Sequence, residues 1–293
     1  MKFKTGSAFR QSLGEHILNR HHKTAIPLER IRKIIAFDRF LARLNSKFPN
    51  QWVLKGGYML EIYYPDRVRT TKDIDLLFLD NGKNIHEQFI QAGNTDLGDW
   101  FTFEVQSPVD ITHEISIQYR INIRSLLDSR TFESFHVDVN TSDALISKPV
   151  FKNGMDFLGF AEINPVRIPC YTLEQQVAEK LHSLSKEHQE EKVSRVKDLV
   201  DILFIASNYA FSFEKLAHAI EFTFNHRTMH CLPAVAPRID EIYAKTYENL
   251  SKETGLVYRK LDDGNRALEF FIIPILSRNG KYKHWDPAVW RWK

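Results

Sequence analysis

The chain has 293 residues, of which 43% are hydrophobic and 12% aromatic, and its formal net charge is +3. This composition is that of a globular protein with a sizeable core, in one large or two modest domains. No window of 18 apolar residues occurs, and the N-terminal stretch MKFKTGSAFRQ lacks the apolar segment of a signal peptide, so we expect a soluble, cytoplasmic protein without a membrane partner.

The distribution of charge and cysteine narrows the classes of function. Residues 1–35 carry +6 and residues 274–293 carry +4, which leaves −7 for the middle of the chain. Basic ends around an acidic centre indicate either a polyanion held by the flanks or a set of solvated helix faces. Cys170 and Cys231 lie in unrelated segments without C-x-x-C spacing, so neither a disulfide framework nor a zinc site is indicated.

The N-terminal part of the chain begins with two stretches at helical spacing, and Pro27 is well placed at a helix start. The predicted elements, in chain order, are helices over residues 8–20 and 27–47, a strand over 51–55, a Gly56-Gly57 turn, a short helix ending near Pro65, a strand within RTTKDIDLLF (69–78) and a helix near 84–92.

Beyond residue 100 the apolar period changes from helical to that of strands. The segments WFTFEVQ, HEISIQYRINIRSLL and FESFHVDVN alternate or are rich in β-branched residues, and they predict strands of a mixed sheet. From Tyr171 the helical period returns, and the predicted helices are 173–188, 194–208, 212–224, 237–250 and 258–273. This order predicts an α+β fold of two lobes, residues 1–168 and residues 169–293.

Two carboxylates open the strand DIDLLF. Asp73 and Asp75 are two residues apart, so on a strand both side chains point to the same face, about 6 to 7 Å apart. Like charges at that distance repel each other unless a cation lies between them, and Mg²⁺ prefers carboxylate and phosphate oxygens. The alternative is a strand edge at which both carboxylates are simply hydrated.

A third carboxylate and a glycine pair extend this pattern. Asp138 lies on a predicted strand, and if that strand neighbours DIDLLF, three carboxylates converge at one end of the sheet. Such a set is typical of two metal ions that clamp a phosphoryl transfer. Gly56 and Gly57 separate a strand from a helix, where backbone N–H groups can meet a phosphate. Most glycine pairs, however, are ordinary turns.

Four ordered blocks carry a resemblance to a known family. They are WVLKGGYMLEIYYPDRVRTTKDIDLLF, HVDVNTSDAL, IPCYTLEQQVAEKLHSL and SRVKDLVDILFI. Their order and spacing resemble the AbiEii/MenT nucleotidyltransferases, the toxin half of bacterial type IV-like toxin–antitoxin pairs, over about residues 8–210. The resemblance implies a DNA polymerase β-like nucleotidyltransferase domain at residues 1–168, a helical C-terminal domain at 169–293, and transfer of NMP from an NTP to the 3′ end of tRNA, which blocks translation.

The resemblance also assigns residues. It implies that Asp73, Asp75 and Asp138 hold Mg²⁺ (or Mn²⁺), and Asp138 can also act as the base. Lys180 falls on a lysine expected to bind phosphate, and Asp198 on an acidic residue of the family. The superfamily's Gly-Ser turn is Gly-Gly here, so the predicted phosphate contacts come from the turn's backbone amides or from side chains nearby, and the candidates are Gly56, Gly57, Lys55, Thr70 and Thr71.

Structural explanations for the helical residues stay open. Lys180 has apolar neighbours, so its ammonium either reaches solvent or binds an anion. Asp198, with Arg195 at i−3 and Asp201 at i+3, can be a helix-surface ion pair. His226 and His230 form a structural or RNA-facing pair, since the glutamate of a zinc protease is missing.

Arg120 and Arg124 share a strand face on which a backbone phosphate could bind. The tail KYKHWDPAVWRWK either stacks on nucleic acid or docks its tryptophans onto the helical lobe.

Two rivals to the tRNA-modifying function remain. One is the same chemistry on a small molecule or a protein hydroxyl, and the other is a non-catalytic scaffold that binds RNA or an antitoxin. For regulation, we hypothesise that a partner antitoxin phosphorylates Thr71, or less readily Thr70, because a phosphate there would exclude the NTP triphosphate. The alternative is that both threonines are ordinary strand residues.

Overall fold

The structure of the chain is a computed structural model that describes residues 1–24, 26–65, 71–79, 84–110, 119–186, 192–278 and 280–293. Thr70 lies outside the described residues. The chain forms two compact units: described residues up to 143 and within 149–170 form the first, and residues 144–148 and 171–293 form the second. The predicted boundary at residue 168 lies two residues before the end of the first unit, and the division into domains 1–168 and 169–293 stays a prediction.

The first unit combines helices with one large sheet. Its helices are α1 (Gly6–Thr24), α2 (Leu28–Lys47), α3 (Gly56–Tyr63) and α4 (Ile85–Gly93), with a 3₁₀ turn at Gly159–Ala161. Its strands are β1 (Trp52–Lys55), β2 (Asp73–Phe78), β3 (Phe101–Val105), β4 (Val109–Asp110), β5 (Tyr119–Leu127), β6 (Arg130–Asn140), β7 (Val150–Asn153) and β8 (Arg167–Cys170).

The sheet is mixed, with the order β3-β5-β6-β2-β1-β8-β7 and β4 paired to β5. The β2–β6 and β1–β8 pairs are parallel, and the other pairs are antiparallel. Parallel neighbours need a long connection between them. The pairing of β2 with β6 therefore brings together residues that are far apart in sequence, and both strands carry predicted site residues.

The two faces of the central strands differ in polarity because side chains alternate along a strand. On one face, Phe135 of β6 contacts Phe37 and Phe40 of α2, and Phe40 also contacts Phe89 of α4. These aromatic rings are fully or almost fully buried and form much of the core. The opposite face of β2 and β6 carries the charged residues, so the covering helices leave a polar face for chemistry.

The second unit is helical and ends in a small hairpin. Its helices are α5 (Leu173–Leu184), α6 (Lys192–Asn208), α7 (Phe213–Arg227), α8 (Ala244–Glu253) and α9 (Leu261–Leu276), with a 3₁₀ turn at Glu241–Tyr243 before α8. The hairpin strands are β9 (Trp285–Asp286) and β10 (Arg291–Trp292). None of the described helices is long and apolar enough to cross a membrane.

The predicted α+β class is confirmed, and three local predictions need correction. Gly56 and Gly57 are the first two residues of α3 rather than a separate turn before it. The helix predicted over 237–250 begins only at Ala244, after a 3₁₀ turn that Asp240 caps by accepting a hydrogen bond from Ile242 N. Helix α5 ends at Leu184, short of residue 188.

The tail docks onto the helices of its own unit. Trp285 and Trp292 are buried, and their indole Nε1 atoms donate to the carbonyl oxygens of Ala206 and Phe271, both at 2.8 Å. The Trp292 ring stacks on Phe271 with 5.8 Å between ring centroids. Trp285 and Trp292 are therefore used in packing against the helices, as in the docking alternative. Their buried rings are not available to stack on nucleic acid.

Candidate active site

Strand register places four polar residues side by side: the three predicted carboxylates and one histidine that was not predicted. In the parallel β2–β6 pair, Asp73 lies opposite His136 and Asp75 lies opposite Asp138. Residues that are directly paired project to the same face of a sheet. Alternation then puts all four side chains on the polar face. The same-face prediction for Asp73 and Asp75, and the pairing of their strand with that of Asp138, agree with this register.

Asp73, His136 and Asp138 form the closest cluster. One ligand atom from each of the three side chains lies within 4.8 Å of the other two. His136 Nε2 is 3.4 Å from Asp73 Oδ2, and Thr71 Oγ1 donates to Asp73 Oδ1 at 3.0 Å. Two carboxylates and an imidazole are a donor set that fits a divalent cation. Sequence reasoning missed His136, although it stands two residues before Asp138, as Asp73 stands two before Asp75.

Arg120 holds the carboxylate of Asp138 at both oxygens. Its Nε and Nη2 donate to Asp138 Oδ1 and Oδ2, each at 2.6 Å, across the β5–β6 pair. Asp138 is buried, whereas the Arg120 side chain is 39% exposed. A guanidinium fork fits a phosphate as well as it fits a carboxylate. Arg120 thus compensates the charge of Asp138 and offers an accessible cation to an anionic substrate. Arg124, which was predicted to bind a backbone phosphate together with Arg120, donates to Glu104 at the surface.

Asp75 takes a different position from the other two carboxylates. Gly56 has φ +71°, and a Cβ added there would lie only 1.8 Å from Asp75 Oδ2. Glycine is required twice over, because the left-handed backbone disfavours other residues and because the carboxylate fills the space of a side chain. A carboxylate therefore lies against the first residue of α3, where a helix start favours an anion. The Asp73 cluster does not include it.

Lys55 is anchored beside this glycine. Its Nζ donates to Asp143 Oδ2 at 2.8 Å, and both side chains are largely buried. Asp143 is positioned by a tight turn after β6, in which Asn140 Oδ1 accepts hydrogen bonds from Ser142 N and Asp143 N. Lys55 is thus a fixed cation next to the start of α3. Asp143 is a second residue that the sequence patterns did not single out.

Lys180 and Asp198 belong to the second unit, where they meet each other. Lys180 Nζ lies 3.2 Å from Asp198 Oδ1 and 2.7 Å from Asp201 Oδ2, and Arg195 Nη1 lies 3.5 Å from Asp198 Oδ2. The Lys180 side chain is 11% exposed, so its ammonium does not reach out to solvent. The i−3 ion pair of Asp198 is present, and Lys180 extends it into a cluster that joins α5 to α6.

Of the predicted pair His226 and His230, His230 makes structural contacts. Helix α7 ends at Arg227, because Thr228 adopts a left-handed backbone with φ +49°. His226 and His230 therefore do not share a helix face. His230 Nε2 lies 2.8 Å from Ser185 Oγ, and its ring packs against Phe224. This environment is that of a core contact rather than a metal site.

The chain is similar to a protein family and to several solved structures. No curated protein matches the chain. Among solved structures, MenT4, a nucleotidyltransferase toxin from Mycobacterium tuberculosis H37Rv, aligns over 96% of this chain and 99% of its own length, with 15% identity and a TM-score of 0.49. JHP933 from Helicobacter pylori aligns over 84% of this chain and 94% of its own length, with 14% identity and a TM-score of 0.42.

The family comparison covers most of the chain. A family model described as "Nucleotidyl transferase AbiEii toxin, Type IV TA system" matches residues 39–263. The matched range contains β2 and β6, with the Asp73 cluster, and the Lys180–Asp198 contact. The chain therefore belongs to the AbiEii family of nucleotidyltransferase toxins.

Proposed function

We propose that this AbiEii nucleotidyltransferase transfers NMP from an NTP to the 3′ hydroxyl of an RNA, with tRNA as the first acceptor to test, and thereby blocks translation. The hydroxyl oxygen forms a bond to the α-phosphate, and pyrophosphate leaves. Family membership implies the NTP substrate and an antitoxin partner. The observation that carries the proposal is the Asp73–His136–Asp138 cluster, with the exposed Arg120 guanidinium beside it. A cluster of metal donors next to an accessible cation suits a charged triphosphate.

Each residue of the polar face has a role in this proposal. Asp73 and Asp138 hold a divalent cation, Mg²⁺ or Mn²⁺, and Asp75 completes the carboxylate set from its place against Gly56. The cation, when bound, neutralises charge on the phosphate oxygens and activates the attacking hydroxyl. Arg120 donates to both oxygens of Asp138, so in either proposed role, metal ligand or base, the Asp138 carboxylate would be shared with this guanidinium.

The phosphates are proposed to meet backbone and side-chain donors. Gly56 and Gly57 begin α3, so their N–H groups lie at the positive end of a helix, and Lys55 is a fixed cation next to them. Thr71 supplies a hydroxyl close to Asp73. Lys180 and Asp198 remain candidate nucleotide-binding and catalytic residues in the second unit, supported by the family match over both of them.

RNA is proposed as the acceptor because of charge. The basic segments at residues 1–35 and 274–293 provide +10 around an acidic middle. Contact with a polyanion through Lys and Arg gives sequence-independent binding that weakens with salt. A small-molecule or protein acceptor has no need of such segments, and this difference favours RNA over the rivals.

The first experiment offers the full-length chain total tRNA and each of the four α-labelled NTPs, with Mg²⁺ or Mn²⁺. We expect label on the RNA from one preferred NTP, and a loss of at least about a hundredfold in the Asp73→Ala variant. Circular dichroism and thermal unfolding check that the variant is folded. The Asn122→Ala variant, at the β5 position paired with His136, is a matched control for a polar side chain on the same face.

The acceptor is read from where the label goes. Label on a protein band or on a small molecule, with none on RNA, would replace the RNA proposal by the rival acceptor class. Absence of label in every fraction, from a folded chain with all four NTPs and both metals, would favour the non-catalytic scaffold. Full incorporation by folded Asp73→Ala protein would contradict the role given to the Asp73 cluster.

The proposed antitoxin is a kinase that acts on Thr71. The Thr71 hydroxyl donates to Asp73 Oδ1 at 3.0 Å, so a phosphate on it would bring a charge of about −1.5 to −2 next to a metal-holding carboxylate. Mass spectrometry of the chain co-expressed with its neighbouring gene tests this, together with NTP addition by a Thr71→Glu variant. Neutralised protein without phosphate on Thr71, or an active Thr71→Glu enzyme, would contradict the kinase proposal.

A further inference from the structure

We propose that His136 supplies a nitrogen ligand to the metal held by Asp73 and Asp138, and that this chain consequently prefers Mn²⁺ to Mg²⁺ more strongly than an all-carboxylate site would. The inference rests on the proposed function for the presence of a metal site. It adds the identity of a third ligand and a consequence for metal choice, neither of which follows from the Asp-x-Asp pattern.

Register and distance place the imidazole at the metal-binding carboxylates. His136 is the direct partner of Asp73 in the β2–β6 pair, and it stands two residues before Asp138 on the same strand face. Its Nε2 is 3.4 Å from Asp73 Oδ2, and its ligand atom shares the 4.8 Å cluster with both carboxylates. The side chain is 29% exposed, so a cation from solution can reach it.

The position of Asp75 makes the imidazole more significant. The Asp75 carboxylate lies against Gly56, whereas His136 lies within the cluster. Among the His, Cys, Asp and Glu side chains that the structure describes, the third donor clustered with Asp73 and Asp138 is therefore a nitrogen. Orientation of Asp73 alone does not require a histidine, because Thr71 already donates to Asp73 Oδ1.

The chemistry of the donors sets the preference. Mg²⁺ requires oxygen ligands and near-ideal octahedral geometry, and it gives up bound water reluctantly. An imidazole nitrogen suits first-row transition ions, whereas carboxylate and phosphate oxygens suit Mg²⁺ and Mn²⁺ alike. Adding one imidazole to the carboxylates and the phosphates of an NTP therefore favours a transition ion over Mg²⁺, and Mn²⁺ is the transition ion that shares the preference of Mg²⁺ for carboxylate and phosphate oxygens. Cys170 and Cys231, the softer ligands of the chain, are not in the cluster.

The test measures metal binding directly, without NTP or RNA. Full-length protein is titrated with Mn²⁺ while the electron paramagnetic resonance signal of the free ion is followed, and Mg²⁺ is then added as competitor. Electron spin-echo modulation of the bound Mn²⁺ reports a directly coordinated ¹⁴N nucleus. We expect this nitrogen signal in the parent chain and its loss in His136→Gln. The His218→Gln variant, which removes an imidazole from α7, should keep the signal.

A second substitution keeps the inference falsifiable if His136→Gln folds poorly. His136→Asp converts the cluster to oxygen donors only, and we expect the ratio of Mg²⁺ to Mn²⁺ dissociation constants to fall by at least about tenfold. Thermal unfolding of each variant checks the fold. A nitrogen signal that persists in folded His136→Gln, its absence from Mn²⁺-saturated parent protein, or an unchanged metal ratio in folded His136→Asp would overturn the inference.

Failure of this inference differs from failure of the proposed function. Chain that binds Mn²⁺ through His136 but adds no nucleotide to any acceptor would sustain the ligand role and contradict the transferase proposal. A chain that labels RNA but shows no nitrogen coordination would support the transferase proposal and contradict the ligand role of His136.

Discussion

At the scale of single residues, Gly56 is constrained both by its backbone and by a neighbouring side chain. Its φ of +71° disfavours any larger residue, and a Cβ at this position would approach Asp75 Oδ2 to 1.8 Å. We expect Gly56→Ala to lower the free energy of unfolding by at least about 1 to 2 kcal/mol, because the backbone penalty alone is of this size. Chemical denaturation measures the change, and nucleotide addition should fall with it.

Two control variants separate the backbone penalty of Gly56→Ala from its clash with Asp75. Gly14→Ala, where nothing lies within 4 Å of an added Cβ in the exposed part of α1, should be neutral or stabilising by about 0.5 to 1 kcal/mol. Combining Gly56→Ala with Asp75→Ala removes the clash but leaves the backbone penalty, so it should recover only part of the stability. Parent-like stability of the single Gly56→Ala variant would contradict the close packing of Asp75 on this glycine.

The two cysteines should differ in reactivity. Cys170 is buried in β8, and burial raises the pKa of its thiol from 9.0 to about 12, while Cys231 is exposed. A thiol reagent at pH 8 should therefore modify one cysteine in the native protein and two after denaturation, since only the thiolate reacts. Rapid modification of both in the native state would show that β8 is open to solvent.

The same shift has a consequence for stability above pH 9. The unfolded chain loses the Cys170 proton near pH 9 while the native state keeps it to about pH 12, so the unfolded state binds fewer protons between these values. The contribution of this group to stability is complete below pH 9 and is lost as the pH rises, at up to about 1.4 kcal/mol per pH unit. Cys170→Ala should show a shallower decline than the parent between pH 9 and 10.

Much of the candidate site was predictable at this scale, because alternation along a strand requires no partner. The same-face placement of Asp73 and Asp75, and the presence of Asp138 on a strand, follow from spacing alone. The Arg120–Asp138 pair and the separate position of Asp75 depend on cross-strand register and on φ at Gly56, which local sequence does not determine. His136 had the right spacing, but a lone histidine on a strand gives no signal by itself.

At the scale of elements, Lys180 joins α5 to α6 through Asp198 and Asp201. Lys180→Ala would remove a shared cation from two largely buried carboxylates, of which Asp198 still has Arg195, so we expect a loss of stability on the order of 3 kcal/mol. Thermal unfolding measures it, and nucleotide addition at a temperature where the variant is folded separates a nucleotide-binding role from a structural one. If folded Lys180→Ala retains full activity, Lys180 is a structural residue only.

A matched pair of variants isolates this charge effect. Lys180→Arg keeps a cation but replaces a compact ammonium by a planar fork, and it should restore part of the stability. Combining Lys180→Ala with Asp201→Asn removes one of the repelling charges and should be less destabilised than Lys180→Ala alone. Equal stability of Lys180→Ala and parent protein would contradict the ion cluster.

The C-terminal hairpin is the second element with a clear energetic role. Trp285 is buried against Phe271, and its indole donates to Ala206 O at 2.8 Å. Trp285→Ala should cost about 3 to 5 kcal/mol, the range for deleting a buried aromatic side chain. Phe270→Ala is the control. Phe270 lies on α9 next to Phe271 and is 70% exposed, so its removal should change stability by less than about 0.5 kcal/mol.

The hairpin also shows which elements sequence reasoning could not find. The long helices were predictable because apolar spacing persists over several turns, as in α2 and α9. Strands β9 and β10 have two residues each, which is too short for alternation to show, and the four-residue strands β7 and β8 were missed although β1, of the same length, was predicted. Pro169 in β8 further disguises a strand, because proline is usually confined to edges and starts.

At the scale of the whole molecule, the chain path interleaves the two units. Residues 144–148 belong with the second unit although residues on both sides belong to the first. Gln175 on α5 explains this assignment, because its side chain donates to Ala144 O at 2.9 Å and accepts from Ile146 N at 3.1 Å. Within the described part of the chain, the second unit thus combines two stretches that are separate in sequence.

Chimeric chains test this organisation. Replacing residues 171–293 by those of another AbiEii protein should give a less stable chain than replacing residues 144–148 and 171–293 together, because only the double exchange keeps matched partners around Gln175. Differential scanning calorimetry measures the difference. Equal stability of the two chimeras would show that the short segment does not contribute to the second unit.

The parallel pairing of β2 with β6 has one further consequence. Because Asp73 and His136 become neighbours only when these strands pair, a cation that binds them binds the native chain and not the unfolded one. Such binding stabilises the fold by mass action, by about 2.7 kcal/mol when the free ion is at a hundred times its dissociation constant. We therefore expect a chain that holds the proposed cation to resist proteolysis more strongly with the metal present than after its removal by a chelator.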